Sequence, residues 1–153
     1  MSLFSQLLRR KFEPNGSPAE LRKRVITEVS SAWPFVEEDE GLEAAALLAD
    51  LATPVPGQRS ALSPQPERPA QNRILRSWVE WLRRLSRQRP LVLLLSDLQW
   101  ADEASLDFLE QALPLLKEHP VLVVLASRPD LEHQRPGWPA GIPAQRYELG
   151  PVP

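Results

Sequence analysis

Five consecutive apolar residues, Leu91 to Leu95, run without a break into Ser96 and Asp97, and the chain continues through Leu98-Gln99-Trp100-Ala101 into Asp102. A strand with one face in a core alternates apolar and polar residues, whereas a strand covered on both faces reads as an unbroken apolar run. The run therefore predicts a central strand of a parallel sheet with helices on both faces. Sheets of that kind bind ligands outside the carboxyl ends of their strands, where Asp97 emerges able to hold a Mg²⁺ ion or a water. Asp102 is placed to cap the following helix, with Glu103 favoured by the dipole of its first turn. Trp100 is expected to pack beneath the strand-to-helix turn.

Both flanks of this stretch read as helix. Upstream, Ile74, Trp78, Trp81, Leu82 and Leu85 line one side of a helix whose other side carries Arg73, Arg76, Arg83, Arg84 and Arg87, expected as a solvated face. Its end at Gln88 to Pro90 feeds the strand within a few residues, the short connection of a wound sheet. Downstream, Leu106, Leu109, Leu113 and Leu116 share one side, with Pro114 predicting a kink or break near Leu113. His119-Pro120 turns the chain into a second apolar strand, Val121 to Ala126, and residues 129–143 read as loop.

The amino-terminal part is helical in pattern. Leu3, Phe4, Leu7 and Leu8 mark a short amphipathic helix. Ser17-Pro18-Ala19-Glu20 combines a capping box with proline at the first helical position, and Leu21, Val25, Ile26 and Val29 supply an apolar stripe. Trp33-Pro34 ends that helix, and an acidic stretch leads into another through Leu42, Ala45, Ala46, Leu48 and Leu51. Between Thr53 and Pro69, five prolines and no apolar period indicate an extended linker or loop.

Composition narrows the function classes. With 18 basic and 20 acidic residues the net charge is −2, no footprint for nucleic acid. Zero cysteines exclude disulfides, thiolate zinc sites and a cysteine nucleophile. His119 and His133 have no metal-ligand spacing, and neither G-x-S-x-G nor H-E-x-x-H occurs. No signal-peptide core or 18-residue apolar span exists, so a cytoplasmic protein is expected. At 153 residues the chain is one domain's worth, and a compact unit of that size buries roughly 68–70% of its unfolded surface.

The stretch from Leu91 to Asp102 resembles the Walker B segment of STAND-type P-loop ATPases, close to the origin-recognition branch of the AAA proteins. There a hydrophobic strand ends in two acids followed by leucine, histidine or glutamine, tryptophan, alanine and aspartate; Leu98, Gln99, Trp100, Ala101 and Asp102 match that tail residue for residue. The second strand ends in Ser127 and Arg128, similar to the sensor that such proteins aim at the terminal phosphate. Tyr147 to Pro151 looks like the strand that closes the family's sheet. The resemblance is strong from Ile74 to Pro153 and weak before it.

It implies an α/β fold: a partial P-loop NTPase-like parallel sheet of about three strands with a helical amino-terminal half. The expected organisation is a helical region at 1–52, a Pro-rich linker or loop at 53–69, and the Walker B and sensor portion at 70–153. It also implies Asp97 as catalytic acid and metal ligand, Ser96 as the adjoining metal position, Ser127 and Arg128 as cofactor-binding residues, and ATP and Mg²⁺ as cofactors. The setting implied is a multidomain bacterial signalling or transcription regulator. Its partners would be the remainder of the ATPase module or other regulator domains, with no direct nucleic acid and no membrane.

Two departures qualify that expectation. No G-x-x-x-x-G-K-[ST] loop occurs, although that loop supplies the N–H cradle and lysine for phosphates, and Lys11, Lys23 and Lys117 lack glycine-rich neighbours. The chain thus looks like the middle and end of an ATPase module without its beginning. Ser96 stands where the family has the first acid, leaving one carboxylate for metal and water. Nucleotide binding by descent without hydrolysis by this chain alone is expected; the alternative is a non-catalytic interaction domain on a degenerate ATPase scaffold. Because the family's first strand lies between the second strand here and the closing one, Arg146 to Leu149 should either pair with Val121 to Ala126 or hang loose beside an exposed edge.

Overall fold

A computed structural model describes residues 11, 17–33, 38–53 and 68–150. The short helix expected at Leu3 to Leu8 and most of the Pro-rich linker lie outside the described residues. The elements are α1 (Pro18–Ser30), α2 (Glu38–Ala52), α3 (Arg68–Gln88), β1 (Leu91–Leu95), a 3-10 turn (Leu98–Trp100), α4 (Glu103–Leu116), β2 (Val121–Leu125) and the short α5 (Asp130–Gln134).

Helix α1 starts where local chemistry dictates. The Ser17 hydroxyl accepts the Glu20 N–H at 3.3 Å, and the Glu20 carboxylate accepts the Ser17 N–H at 2.7 Å. This reciprocal pair satisfies two donors that a helix start otherwise leaves orphaned. The backbone N–H and hydroxyl of Ser17 also hold the Glu20 carboxyl below the ordinary glutamate range. Leu21, Val25 and Val29 are buried. They face α2, where Ala45, Leu48, Ala49 and Ala52 are fully or nearly fully buried. Small residues let the two helices approach, and at Gly41 of α2 a Cβ would stand 2.8 Å from the Cβ of Trp33, in the turn that follows α1. Helix α2 in turn packs on α3, and α3 on α4.

Helix α3 begins at Arg68, so Arg68 and Pro69 belong to the helix and not to the linker; proline costs little in a first turn, where its missing N–H has no partner to lose. Ile74, Trp78 and Trp81 are buried, and the Trp78 ring meets Phe108 of α4 edge-on at 5.6 Å. The arginine side of α3 is not uniformly solvated as expected. Arg83 donates to the Leu115 carbonyl at 2.8 Å, while Arg84 pairs with Glu80 at 2.8 Å and lies over the Trp33 ring at 4.8 Å. Their long apolar stems bury at helix junctions while the guanidinium finds a partner.

The two strands are adjacent and parallel, in register from Leu91 opposite Val121 to Leu95 opposite Leu125. That agrees with the expected α/β class and β-α-β unit. The sheet differs from the expectation in two respects. It has two strands among the described residues where about three were expected: residues 147–150 join no ladder, and Leu149 is 95% exposed. Among the described residues it is also covered on one face only. Leu91, Leu93, Leu95, Val123 and Leu125 face the core, whereas Val92, Leu94, Leu122 and Val124 are exposed. Helices α3 and α4 supply one layer, and an apolar run does not reveal whether a second layer is present in the same chain.

Pro114 does not break α4 at Leu113. The helix continues to Leu116, with Leu113 and Leu116 both buried. Proline removes one backbone donor, but so near the end of the helix few bonds remain to be lost, and burial of the leucines holds the last turn. Residues 130–134, expected as loop, form α5, with Asp130 and Glu132 in the first turn and Leu131 buried. No described helix is long and apolar enough to cross a membrane.

Candidate functional site

Because β1 and β2 are in register to their last residues, their carboxyl ends lie flush. Two backbone bonds stitch the exits: Ala126 N–H donates to the Leu95 carbonyl at 2.8 Å, and Leu98 N–H to the Ala126 carbonyl at 3.2 Å. The four residues singled out in the sequence, Ser96, Asp97, Ser127 and Arg128, therefore come together at one end of the sheet, and all four are exposed.

Asp97 occupies the left-handed region, at φ 60° and ψ 35°, and is the only described non-glycine residue with positive φ. That region is disfavoured for a residue with a Cβ, and aspartate tolerates it better than most. The kink reverses the chain directly into the 3-10 turn, whose bonds run from Trp100 N–H to the Asp97 carbonyl and from Ala101 N–H to the Leu98 carbonyl, both at 3.0 Å. The Asp97 carboxylate caps nothing in this turn. Residues held in sparsely populated backbone conformations of this sort cluster at ligand sites.

The turn also decides the fate of its two large side chains. Leu98 is 1% exposed and fills the space beneath the strand exit, while Trp100 is 75% exposed. The expectation that Trp100 packs under the turn is overturned: after a left-handed residue this 3-10 turn points its first side chain inward and its third outward.

Gln99 spans the gap between the two strand exits. Its Nε2 donates to Asp97 Oδ1 at 3.4 Å, and its Oε1 accepts the Arg128 N–H at 3.1 Å. In the sequence Gln99 stands out only as one letter of the Walker B resemblance. Its partner is 29 positions away, and nothing local marks it. Beyond the turn, Asp102 caps α4 as expected by accepting the Ser105 N–H at 2.7 Å. Glu103, besides opening α4, accepts from Arg135, whose guanidinium also reaches Asp107 at 2.6 Å and lies 3.9 Å from Glu110. Burial opposes the Arg135 charge, but the hydrogen bonds to Asp107 and Glu103 prevail and raise its pKa. Glu132 accepts the Gly137 N–H at 3.0 Å and pairs with Arg146 at 2.9 Å, so its carboxyl titrates below the ordinary range. These contacts clamp the segment after β2 onto the α4 face, close to the sheet end.

The donor set suits only one kind of cation site. Among the described residues no three His, Cys, Asp or Glu side chains converge. One carboxylate with neighbouring hydroxyls cannot cage a metal, but fits a Mg²⁺ whose other ligands are waters and phosphate oxygens. Arg128, on the neighbouring strand exit, carries a side chain of the type that suits a phosphate.

A family model described as AAA ATPase domain matches residues 2–124. The chain belongs to the AAA ATPase domain family. Nothing among curated proteins or solved structures matches. The match takes in the helical half, α3, β1, the 3-10 turn and α4, and ends one residue short of the end of β2. Ser96, Asp97 and Gln99 thus lie within the AAA ATPase domain match, whereas Ser127 and Arg128 lie just beyond it. An AAA ATPase domain is in general a nucleotide- and metal-binding module.

Proposed function

We propose that this chain is a STAND-type signalling version of the AAA ATPase domain, answering to a Mg²⁺-nucleotide without hydrolysing it alone. Asp97 is the Walker B acid that holds the cation, with Ser96 in the adjoining position. Ser127 and Arg128 form the sensor toward the terminal phosphate. The observation that carries the reading is the convergence of Asp97 and Arg128 at the flush ends of two parallel strands, joined through one side chain. When bound, Mg²⁺ neutralises charge on the phosphates. The chain's own residues supply one carboxylate, two hydroxyls and one guanidinium. They supply neither a glycine-rich cradle nor a second acid, and positioning of metal and phosphates is most of phosphoryl-transfer catalysis. Such a module acts within a multidomain bacterial regulator, its partners being the rest of the ATPase module or other regulator domains.

The test is calorimetric titration with Mg-ATP beside a phosphate-release assay. Binding is expected without steady turnover, with Arg128→Ala weakening binding about tenfold through loss of a charge-assisted contact. Steady hydrolysis abolished by Asp97→Ala would overturn the inactive reading; the absence of any nucleotide binding would overturn the nucleotide reading. The sheet face at Val92, Leu94, Leu122 and Val124, uncovered among the described residues, favours a second reading, in which the domain is a non-catalytic interaction scaffold. That reading stands if nucleotide does not bind and substitutions on the bare face abolish association with a partner domain.

A further inference from the structure

The side chain of Gln99 does something that no other described side chain in the strand exits does. It lies between a group that can only accept, the Asp97 carboxylate, and a group that can only donate, the Arg128 backbone N–H. A primary amide carries an acceptor and a donor on one planar group, so these two partners decide its orientation: Oε1 toward Arg128 and Nε2 toward Asp97. The two contacts differ in length. At 3.1 Å the bond to Arg128 is well formed, whereas 3.4 Å to Asp97 is at the outer limit of a hydrogen bond. Gln99 is half-buried, held between Leu98 in the core and the exposed Trp100. The firm end of the bridge is therefore the sensor loop, and the yielding end is the acid.

We propose that Gln99 is a positioning residue that couples occupancy at Asp97 to the backbone at Arg128. The proposal rests on the reading of Asp97 as the cation-holding acid and adds the means by which the sensor arginine responds. A cation drawing on the Asp97 carboxylate competes for the oxygen that Gln99 holds weakly. The amide re-seats, and because its other end is bonded to the Arg128 N–H, the sensor backbone moves with it. Leucine in place of Gln99 keeps the bulk and removes both polar ends. Neutral histidine restores one donor and one acceptor on a planar group.

The experiment uses the full chain labelled with nitrogen-15, with Mg²⁺ alone as the probe so that no phosphate touches Arg128 directly. In wild type the amide resonances of Asp97 and Arg128 are expected to shift along one saturation curve. In Gln99→Leu, Asp97 still shifts and Arg128 does not, and in Gln99→His both shift again. Without added Mg²⁺, hydrogen exchange at the Arg128 amide should rise about fivefold in Gln99→Leu, the loss of one ordinary hydrogen bond, while the Ala126 amide is unchanged. An Arg128 shift in Gln99→Leu equal to wild type overturns the coupling, as does unchanged Arg128 exchange. If neither Mg²⁺ nor Mg-ATP shifts the Asp97 amide in wild type, the cation reading of Asp97 falls and the coupling falls with it. In that case raised Arg128 exchange in Gln99→Leu identifies the cation assignment, not the bridge, as the failed step.

Discussion

Leu94 and Leu95 are neighbours in one strand and equally apolar, yet Leu94 is 66% exposed and Leu95 is 3% exposed. The difference is that between the two faces of the sheet. On one side α3 and α4 lay down Trp78, Trp81, Phe108 and Leu109, and Leu95 joins them in one buried cluster with α1 and α2, with Leu91, Leu93, Val123 and Leu125 packed against it. On the other, Val92 opposite Leu122 and Leu94 opposite Val124 form an apolar strip with nothing over it among the described residues. Parallel sheets are ordinarily covered on both faces. An apolar run thus records the environment a strand is suited to, and only the arrangement of helices says which half of that environment this chain supplies.

The largest expected effect sets these faces against each other. Leu109→Ala, at a fully buried position of α4, should cost about 2–5 kcal/mol in urea unfolding through lost transfer energy and a residual cavity. Leu94→Ala should cost less than about 0.5 kcal/mol. A comparable loss at Leu94 would break the comparison and show that something covers that face in solution.

The helical half can be probed through its closest approach. Alanine normally favours a helix over glycine by about 1 kcal/mol. At Gly41 the new methyl would meet the Trp33 Cβ at 2.8 Å and Cγ at 2.9 Å. Overpacking of this kind costs about 1–3 kcal/mol, so Gly41→Ala is expected to destabilise the protein, with a lowered denaturation midpoint as the readout. A raised midpoint would mean that α2 and the Trp33 turn give way easily.

At the sheet end the comparison is between stability and use. Asp97→Gly removes the Cβ from a left-handed residue and should stabilise by up to about 1 kcal/mol, since aspartate already tolerates the region. It should also abolish any response to Mg²⁺. Loss of stability would mean that the Asp97 side chain holds the turn together.

The smallest effect is on acid stability. Glu20 and Glu132 both titrate below their ordinary value in the folded chain, through the Ser17 and Gly137 N–H groups respectively. Their contribution is fully present above the unfolded glutamate pKa, about 4.3, and is lost as pH falls through the lower folded values. Glu20→Gln and Glu132→Gln should therefore flatten the stability profile below that pH and leave its slope near neutrality unchanged.

Much is legible in the sequence where the cause is local. The Ser17 box, the Asp102 cap and the strand start at Leu91 each follow from residues within a turn of one another, and all are found as read. The parallel pairing of β1 and β2 is legible too, because a strand, a helix and a second strand joined by short turns have few ways to pack. The misreadings share one origin. Trp100 reads as inward-facing because the left-handed kink at Asp97 is not written in its neighbours. Residues 130–134 read as loop because Leu131 is buried only in the folded chain and the grip of Arg135 on Glu103 and Asp107 depends on a helix 28 to 32 positions away.

The amino-acid sequence by itself determined the helices α1 to α4, the two strands and the placing of a carboxylate at a strand exit, since periodicity, caps and apolar runs act over a few residues. Tertiary structure alone decided that one sheet face is bare among the described residues, that Leu98 and not Trp100 fills the turn, and that Gln99 joins Asp97 to Arg128. Those outcomes depend on which distant side chains arrive at the same place, and that is a matter of packing and hydrogen-bond partners, not of local preference.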